Sequence, residues 1–440
     1  MYYHFEDVLT TQDVKRYISH SFEAPANSGQ LEIHLSFAPA QIDGVKNMLC
    51  LSLFDPAGFR GAGHRGGDTH MVRITADQAT PGYWPGAIPA GRWTIEIDTH
   101  MILPDEPCRY ELEVTLSSEG TSSVGASWPT GIATAAPPVK DSPGWYRGDL
   151  HTHTIHSDGR QDVAALLKTA QAYGLDFLAL TDHNTVTGLA ELDRLSPPGL
   201  LTLGGIELTT YWGHAVCLGT RQWIDWRVGT GGRTMADTAR SVSANNQVFI
   251  IAHPCAIGDP FCTGCKWVYE DVRPDPARLV EVWNGAWRDG ESKNEEALAM
   301  WYEWLKQGYR LVATAGSDTH GPDNYARGPA FNVIYADTLS EEALLQALQT
   351  GHLYLSAGPH LTFTGHTEDG QQAMMGDSLP GRPATLICNW DACPGDARLR
   401  VLADGQPIKE WAAGGSGSQT WTLSSQQAHW CVVEVRNAKG

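Results

Sequence analysis

Long apolar runs are missing from this sequence, and cysteine is scarce. No stretch approaches the roughly 18 consecutive apolar residues that a membrane helix needs, and the opening segment MYYHFEDVLTTQDVKRYISH contains no apolar core that could act as a secretion signal. The nine cysteines are an odd number spread thinly over 440 residues, which indicates a reducing compartment rather than a disulfide framework. We therefore expect a soluble, cytoplasmic protein that does not bind a membrane.

Positive charge is also in short supply. The chain carries 31 lysines and arginines against 50 aspartates and glutamates, which gives a formal net charge of −19. A nucleic-acid polymer is therefore disfavoured as the main partner, because phosphate backbones are bound by basic patches. A small phosphorylated substrate is still compatible with this charge, because bound metal ions can supply positive charge locally. The composition does not indicate an oligomeric state.

Residues 1–118 have the pattern of a β domain. Apolar and polar residues alternate in five or more runs, separated by loops that contain proline and glycine, and this predicts a small sandwich. The histidines of this segment are scattered and have no second metal-type neighbour at a useful spacing, so we expect surface or structural roles for them. They are His34, His64, His70 and His100.

The remaining chain divides into three further segments. Residues 119–144 are rich in Ser, Thr, Gly, Ala and Pro and are predicted to be a linker. In residues 145–358, short apolar runs alternate with helical patterns, which indicates an α/β fold built on a mostly parallel sheet or barrel. Residues 359–440 return to strand patterns and are predicted to form a short C-terminal β module.

Side chains that bind metals stand at the ends of the predicted strands in the 145–358 segment. His151 and His153 are two residues apart, so on an extended strand their side chains point the same way. In a barrel the carboxyl ends of the strands converge on one face. Unpaired imidazoles and carboxylates gathered there would cost several kcal/mol, which metal ions relieve. We therefore predict a metal cluster formed by His151, His153, Asp158, His183, Glu207, His214, His253, Asp318 and His320.

The sequence around these residues resembles the polymerase and histidinol phosphatase (PHP) family of metallohydrolases. The motifs occur in the family's order and cover about half of the chain. The N-terminal β module, together with WNG at 283–285 and NEEAL at 294–298, is most similar to the carbaryl-hydrolase-like (CehA/McbA) branch. The matching motifs are HTH with SDG (151–159), TDH (181–183), the Glu207 strand, GHAVCLG (213–219), AHP (252–254) and GSDTH (316–320).

The resemblance implies a distorted (β/α)7 barrel that holds two or three divalent metal ions, Zn, Mn or Fe. A hydroxide that bridges two of the ions would be the nucleophile, and Glu207, Asp318 and His320 would act in catalysis. Some family members have histidine where Asp158 stands, which puts the occupancy of the third site in doubt. The implied ligand sets are His151, His153, Glu207 and Asp318; Glu207, His214 and His253; and Asp158, His183 and His320.

Further residues near the motifs are candidates for supporting roles, with purely structural roles as the alternative. Asp149 and Asp182 could orient ligand imidazoles or cap the backbone. His156 could contact the substrate or donate a proton, as a further catalytic candidate. Cys262 and Cys265 form a CxxC that we expect to be a loop near the active-site mouth rather than a zinc or redox site. The residues that could line that mouth or belong to the core are Trp267, Trp283, Trp287 and Arg288.

The leading hypothesis is a metal-dependent hydrolase that acts on a small phosphate mono- or diester. Hydrolysis of a carbamate or carboxylic ester is the alternative, and a non-catalytic, metal-stabilised binding scaffold is a third hypothesis. No GxSxG elbow or Cys/His pair competes for the role of nucleophile. The basic side chains that could assist phosphate binding are Arg160, Lys266 and Arg288.

Overall fold

The structure of the protein is a computed structural model that describes residues 1–118, 138–288 and 290–438. Most of the predicted linker at 119–144, namely residues 119–137, lies outside the described residues. Over the described ranges, no helix is long and apolar enough to cross a membrane.

Residues 1–118 form two antiparallel sheets and a small hairpin. The strands are β1 (Tyr2–Leu9), β2 (Tyr17–Ala24), β3 (Gln30–Ala38), β4 (Gln41–Ile42), β5 (Val45–Lys46), β6 (Met48–Asp55), β7 (Gly58–Gly63), β8 (Thr69–Thr75), β9 (Gly91–Met101) and β10 (Cys108–Ser117). One sheet has the order β1-β10-β3-β8, the other has the order β2-β9-β6-β7, and β4 pairs with β5. Alternate side chains such as Leu35, Leu51 and Trp93 are buried in one shared apolar core, so these two sheets form a sandwich.

The middle segment forms a mixed nine-stranded sheet with helices. Its elements are β11 (Gly144–Asp149), α1 (Val163–Ala172), β12 (Phe177–Leu180), α2 (Leu189–Leu195), β13 (Leu201–Thr210), β14 (Gly213–Leu218), α3 (Met235–Ala244), β15 (Val248–Ile251), β16 (Leu279–Asn284), α4 (Asn294–Lys306), β17 (Val312–Gly316), α5 (Pro322–Ala326), β18 (Phe331–Ala336), α6 (Glu341–Thr350) and β19 (Leu353–Ser356). The strand order is β17-β16-β15-β14-β13-β12-β11-β18-β19.

This sheet curls into a nearly closed barrel. The Asn332 side chain on β18 bonds the Ala315 backbone of β17 twice, accepting from its N–H at 3.0 Å and donating to its carbonyl at 2.6 Å. Thr152 and Thr319, beyond the ends of β11 and β17, form a parallel bridge. The α/β class is confirmed. The predicted distorted (β/α)7 barrel is not confirmed, because β14 and β18 pair antiparallel with both of their neighbours.

The barrel strands are apolar on both faces because each face packs against a core. On β12, Leu178 and Leu180 belong to one core, whereas Phe177 and Ala179 belong to another that α6 also enters. Helix α1 begins where the Asp162 side chain accepts from a backbone N–H at 2.7 Å. Burial on both sides explains the continuous apolar runs of the sequence.

The C-terminal segment forms two further antiparallel sheets, in the orders β21-β20-β22-β25 and β24-β23-β26. The strands are β20 (His360–Thr367), β21 (Gln372–Met374), β22 (Ala384–Cys393), β23 (Arg398–Ala403), β24 (Gln406–Ala412), β25 (Gly415–Leu423) and β26 (Cys431–Arg436). They share a small apolar core and contact the barrel at α4, where Arg436 pairs with Glu295 at 2.6 Å and Trp430 stacks on Tyr302.

The N-terminal sandwich packs against the barrel at the carboxyl ends of the barrel strands. Arg227 of the barrel pairs with Glu96 of the sandwich at 2.9 Å. Tyr211, just after β13, stacks on Tyr17 of β2 with ring centroids 5.1 Å apart. Because β13 also carries Glu207, the sandwich lies next to the predicted metal ligands.

Candidate metal centre

The first two predicted ligands come from the segment that continues β11. The chain stays extended there, so His151 and His153 point to one side, and Thr152 between them donates its hydroxyl to the Ala179 carbonyl at 2.6 Å. The His153 N–H donates to the Thr319 carbonyl at 3.0 Å, which ties this segment to the end of β17. Both imidazoles are buried.

Glu207, on β13, lies at the centre of the site, and its carboxylate is fully buried. Burial alone would raise the pKa of Glu207, but the surrounding imidazoles hold that pKa well below its ordinary value. One carboxylate facing donors from several strands is the arrangement expected of a residue that bridges metal ions. Its distances to imidazole nitrogens are 3.2 Å to His151 Nε2, 3.3 Å to His153 Nε2, 2.9 Å to His183 Nδ1, 3.2 Å to His214 Nδ1 and 3.1 Å to His253 Nε2.

Asp318 completes a first group of donors with His151, His153 and Glu207. Its Oδ1 lies 3.0 Å from His153 Nε2 and 3.5 Å from His151 Nε2. One donor atom from each of the four residues lies within 4.8 Å of the other three. The structure thus brings together all four residues of the first implied ligand set.

A second group is formed by His153, Asp158, His183 and His320, again within 4.8 Å of one another. Asp158 Oδ1 lies 3.1 Å from His320 Nε2 and 3.4 Å from His183 Nε2. The resemblance implied the same set without His153, whose ring lies 4.2 Å from that of His183. His153 therefore stands between the first and the second group.

The third group consists of His183, Glu207 and His214. The resemblance implied His253 in the place of His183. The structure brings His253 to the same carboxylate, 3.1 Å from Glu207 Oε1, with its ring 5.2 Å from that of His214. All nine predicted ligands therefore lie in one connected cluster.

Two of the predicted ligands adopt backbone conformations that are rare outside glycine. The φ angle is 26° at His253 and 50° at Asp318, in the left-handed region, where each costs on the order of 1–3 kcal/mol. The His253 N–H donates to Glu281 Oε2 at 3.0 Å, and the Asp318 N–H donates to the His151 carbonyl at 3.0 Å. These bonds hold the strained backbone that aims both side chains at the cluster.

The donor atoms of the cluster fit divalent metal ions. Several are buried and have no hydrogen-bond partner among the described residues, which is costly unless a cation engages them. The donors are imidazole nitrogens and carboxylate oxygens, a set that suits Zn, Mn or Fe without selecting one of them. The unpartnered atoms are Nε2 of His151, His153 and His214, Oδ1 of Asp158 and Asp318, and Oε2 of Glu207.

Glu281, on β16, was missed by the sequence analysis. It is 3% exposed, and its Oε1 lies 3.1 Å from His151 Nδ1, in position to accept that N–H. Its Oε2 accepts from the His253 N–H and from Asn284 Nδ2, both at 3.0 Å. Glu281 thus orients the ring of one ligand and the backbone of another. A charged residue inside the apolar run RLVEVWNG was the available signal.

Asp149 and Asp182 hold the backbone rather than imidazoles. Asp182 Oδ1 accepts from the Thr154 N–H at 2.7 Å and from the Ser157 hydroxyl at 2.8 Å. Asp149 Oδ1 accepts from the Ser317 N–H at 3.0 Å. Of the two predicted alternatives, the backbone role agrees with these contacts, and it fixes the loops that follow β11 and β17.

The structure turns His156 away from the donor groups. Its Nδ1 lies 2.8 Å from the Thr187 hydroxyl and accepts from the Gly82 N–H at 3.4 Å. The chain makes a tight turn within 154–159, where two N–H groups share one carbonyl acceptor, and this separates His156 from its sequence neighbour Asp158. His156 therefore joins the barrel to the sandwich, and its position does not support the predicted catalytic role.

The CxxC loop lies directly against the cluster. Cys262 and Cys265 form a disulfide, and the Cys265 carbonyl lies 3.2 Å from His253 Nδ1. Gly264 has a φ of 78°, and a Cβ there would come within 1.9 Å of a backbone carbonyl and 3.2 Å of His214 Nε2. Only glycine fits this position, so the loop can approach the ligands closely.

A cavity of about 330 Å³ opens beside the CxxC loop, and Gly264 lines it. Three lysines also line this cavity, which is unusual in a chain with a net charge of −19. They are Lys15, which pairs with Asp259 at 2.7 Å, Lys293, which pairs with Glu296 at 3.4 Å, and Lys266. Lys266 was among the basic residues predicted to assist phosphate binding.

Arg160 and Arg288, which were predicted to assist phosphate binding, lie in different parts of the structure. The Arg160 N–H donates to the His320 carbonyl at 2.8 Å, and its guanidinium lies at the exposed edge of the site, 3.3 Å from Asp323. Arg288 donates to the Ala438 carbonyl at 3.0 Å and so contacts the C-terminal segment instead.

The tryptophans near the predicted mouth belong to packing contacts. Trp267 is buried in the barrel core. Trp283 and Trp287 pack edge to face, with ring centroids 4.7 Å apart. Trp287 donates to Glu295 Oε1 at 2.8 Å and lies under the guanidinium of Arg436. This pair therefore supports the contact with the C-terminal sheets.

The fold and the donor set define the class, an α/β barrel protein whose strand ends gather imidazole and carboxylate donors for divalent metal ions. Residues 149–229 match the family model of the PHP domain. This range contains six of the nine predicted ligands, from His151 to His214.

Two relatives match this chain over short segments. It is 37% identical over 65 residues to a 5'-3' exoribonuclease of Haemophilus influenzae, and 38% identical over 76 residues to a 3',5'-nucleoside bisphosphate phosphatase of Chromobacterium violaceum. These matches cover 14% and 16% of this chain, and 24% and 27% of the two relatives. The chain therefore spans about a quarter of the length of each.

Among solved structures, one similar protein is a two-domain protein of Bacteroides vulgatus, described as containing a predicted PHP-like metal-dependent phosphoesterase. It aligns with 68% of this chain and 91% of its own, at 16% identity and a TM-score of 0.41.

Proposed function

We propose that this protein is a metal-dependent phosphoesterase that hydrolyses a small phosphate mono- or diester. The observation that carries the proposal is the connected cluster of nine imidazole and carboxylate donors at the strand ends, next to a cavity lined by three lysines. The match to the PHP domain and the names of the two relatives support the same reaction class.

Bound divalent ions would supply Lewis acidity and a water that is deprotonated near neutral pH, the hydroxide nucleophile of this proposal. Differences in side-chain exposure determine where a substrate would reach the cluster. Side chains at the centre are buried, as at Glu207, whereas Asp158, Asp318 and His320 are 28%, 23% and 33% exposed. Asp318 and His320 are therefore cluster residues that a substrate could contact from this exposed edge, where Arg160 lies beside them.

The lysine cavity favours an anionic substrate over a neutral ester. Ammonium groups bind phosphate oxygens through charge-assisted hydrogen bonds, and Lys266 forms no ion pair with any described residue. An aromatic pocket wall would favour the carbamate or carboxylic ester alternative, but Trp283 and Trp287 pack on each other, and Trp287 lies at the contact with the C-terminal sheets.

The finer assignments belong to the same proposal. We infer two or three metal sites in the barrel. We also infer a barrel segment at 145–358 between β modules at 1–118 and 359–440, and membership of the carbaryl-hydrolase-like branch. The metals proposed are Zn, Mn or Fe. The connected donor groups support the number of sites, and the separate apolar cores support the division of the chain.

The test is a screen of the metal-replete full chain against nitrophenyl phosphates, phosphodiesters and carboxyl esters, with Glu207→Ala as the background control. We expect turnover of phosphate esters, and Lys266→Ala should raise KM for them by roughly tenfold, since a charge-assisted hydrogen bond is lost. Lys168→Ala, on the outer helix α1, is the matched control and should change nothing. Turnover of carboxyl esters alone would refute the phosphoesterase assignment.

A further inference from the structure

A separate cluster of metal-type donors lies in the N-terminal sandwich. One donor atom each from Cys50, His64 and His100 lies within 4.8 Å of the other two. The three residues are 2%, 8% and 1% exposed, so they are buried side chains rather than surface groups. The grouping of His64 and His100 with Cys50 differs from the expectation that the sandwich histidines have no metal-type neighbour.

Strand register explains how residues so far apart in sequence meet. On β6 and β7, Leu51 pairs with Gly63, so Cys50 lies opposite His64. On the other side of β6, Leu49 pairs with Thr99 but Met48 pairs with Met101, which leaves His100 as the extra residue of a β-bulge. Bulges redirect side chains, and here the bulged residue completes a group of three donors.

The spacing of the donors suits a metal ion. Cys50 Sγ lies 3.8 Å from His64 Nδ1, close to the roughly 3.5 Å between a sulfur and a nitrogen that share one tetrahedral zinc ion. Both ring nitrogens of His100 are buried, and neither has a hydrogen-bond partner in the described parts of the chain. An imidazole without any partner is costly to bury, and a metal bond to one nitrogen would relieve much of that cost.

The protonation states agree with such a role. Burial lowers the pKa of His100 to about 3, so this imidazole is neutral and its nitrogen lone pair is free to bind a metal. Burial also raises the pKa of the Cys50 thiol, so a bound cation would be needed to form the thiolate.

We propose that Cys50, His64 and His100 bind one zinc-type metal ion, at a thiolate-containing site distinct from the barrel cluster. The site would lie at the contact between the sandwich and the barrel. The His64 ring is 4.6 Å from that of His183, and the hydroxyl of Thr263 in the CxxC loop donates to the His100 carbonyl at 2.8 Å. With three protein ligands, a fourth position is open for water or another small ligand. The ion would fix the sandwich beside the proposed active site.

Cobalt substitution separates this site from the barrel cluster, because only a thiolate ligand produces the strong near-ultraviolet sulfur-to-cobalt charge-transfer band. The barrel donors are nitrogen and oxygen alone, so the band reports on the sandwich whether or not the protein hydrolyses phosphate esters. The full-length chain is stripped of metal, reconstituted with cobalt(II) and measured by absorption and by metal content per chain. We expect the wild type to show the band. Cys50→Ser should lose the band and bind one cobalt ion fewer per chain.

Cys108→Ser is the matched control, since Cys108 is buried in the same sandwich but belongs to no donor group found among the described residues; it should keep both the band and the metal content. His100→Gln keeps the thiol and should weaken cobalt binding at the thiolate site by at least tenfold, with an unchanged circular dichroism spectrum. Absence of the band in the wild type, or its persistence in Cys50→Ser, would overturn the proposal.

Discussion

The barrel and the sandwich both gather histidines where they meet, but they do so by different means. In the barrel, the predicted ligands lie on strands or just after them, and the convergence of strand ends brings residues such as His151 and Asp318 together. In the sandwich, a hairpin register and one bulged residue, His100, bring the donors together. Converging strand ends leave regular traces in a sequence, whereas a bulge does not.

The two clusters also differ in charge. Burial by itself lowers the pKa of an imidazole, as it does at His100, to about 3, and at His70, to about 4. In the barrel burial acts in the same direction, but Glu207 outweighs it at His253 and raises the pKa to about 9. Glu207 thus favours the charged form of His253, whereas His100 of the sandwich is a neutral donor. Harder divalent ions suit the first environment, and a thiolate-bound ion suits the second.

The largest expected effect comes from breaking the barrel cluster alone. Glu207→Gln keeps the shape of the side chain but removes the charge that faces five imidazoles. Because Lewis-acid catalysis supplies several kcal/mol, we expect kcat on phosphate esters to fall by roughly 10³-fold, with loss of barrel metal measured by elemental analysis. The cobalt–thiolate band of the sandwich should remain. Loss of that band in the same variant would show that the two clusters are one coupled site.

The nine residues of the barrel cluster could be found in the sequence because each one stands in or beside a short motif near a predicted strand end. It did not predict which residues share a group, since His153 and His183 each lie between two groups in three dimensions. The position of His156 could not be predicted, because a tight turn separates it from its sequence neighbour Asp158. Within such a turn, residues that are adjacent in sequence need not lie in the same group of side chains.

The sequence predicted the fold class of each segment but not the details of strand pairing. Alternation in the N-terminal segment predicted a sandwich, and continuous apolar runs predicted an α/β sheet. The sequence predicted a mostly parallel sheet, but β14 and β18 pair antiparallel with both of their neighbours. A strand that is buried on both faces has the same apolar pattern in either direction, so the pattern did not determine the pairing. Cys50, His64 and His100 lie 14 and 36 residues apart, and only the register and the bulge bring them together.

A smaller effect is expected at Glu281, which supports barrel ligands without belonging to a donor group. Glu281→Gln removes the negative charge next to His151 Nδ1 and weakens the acceptor of the His253 N–H. Loss of a supporting partner of this kind costs about 10–100-fold in metal affinity, so activity should fall at low metal concentration and recover at high concentration. Titration of the apoprotein with metal measures this shift.

Glu341→Gln is the matched control for that titration, because Glu341 pairs with Arg221 at the start of α6, away from the cluster. It should leave the metal affinity unchanged. If Glu281→Gln lost activity that excess metal did not restore, Glu281 would act on the substrate or the reaction rather than on its ligand neighbours.

The smallest expected effect concerns His70, a buried sandwich histidine outside both clusters. Its folded pKa of about 4 lies below the ordinary value near 6.5 because burial disfavours the charged ring. A depressed pKa means that the folded state binds fewer protons than the unfolded state between these values. The contribution of His70 to stability is therefore complete above about pH 6.5 and falls as the pH drops towards 4, by about 3 kcal/mol. Thermal unfolding followed across this pH range should show a shallower acid slope in His70→Gln.

His34→Gln, on the partly exposed side of the same sheet, should retain the wild-type slope. An unchanged slope in His70→Gln would mean that other groups, His100 among them, account for the acid sensitivity of the sandwich.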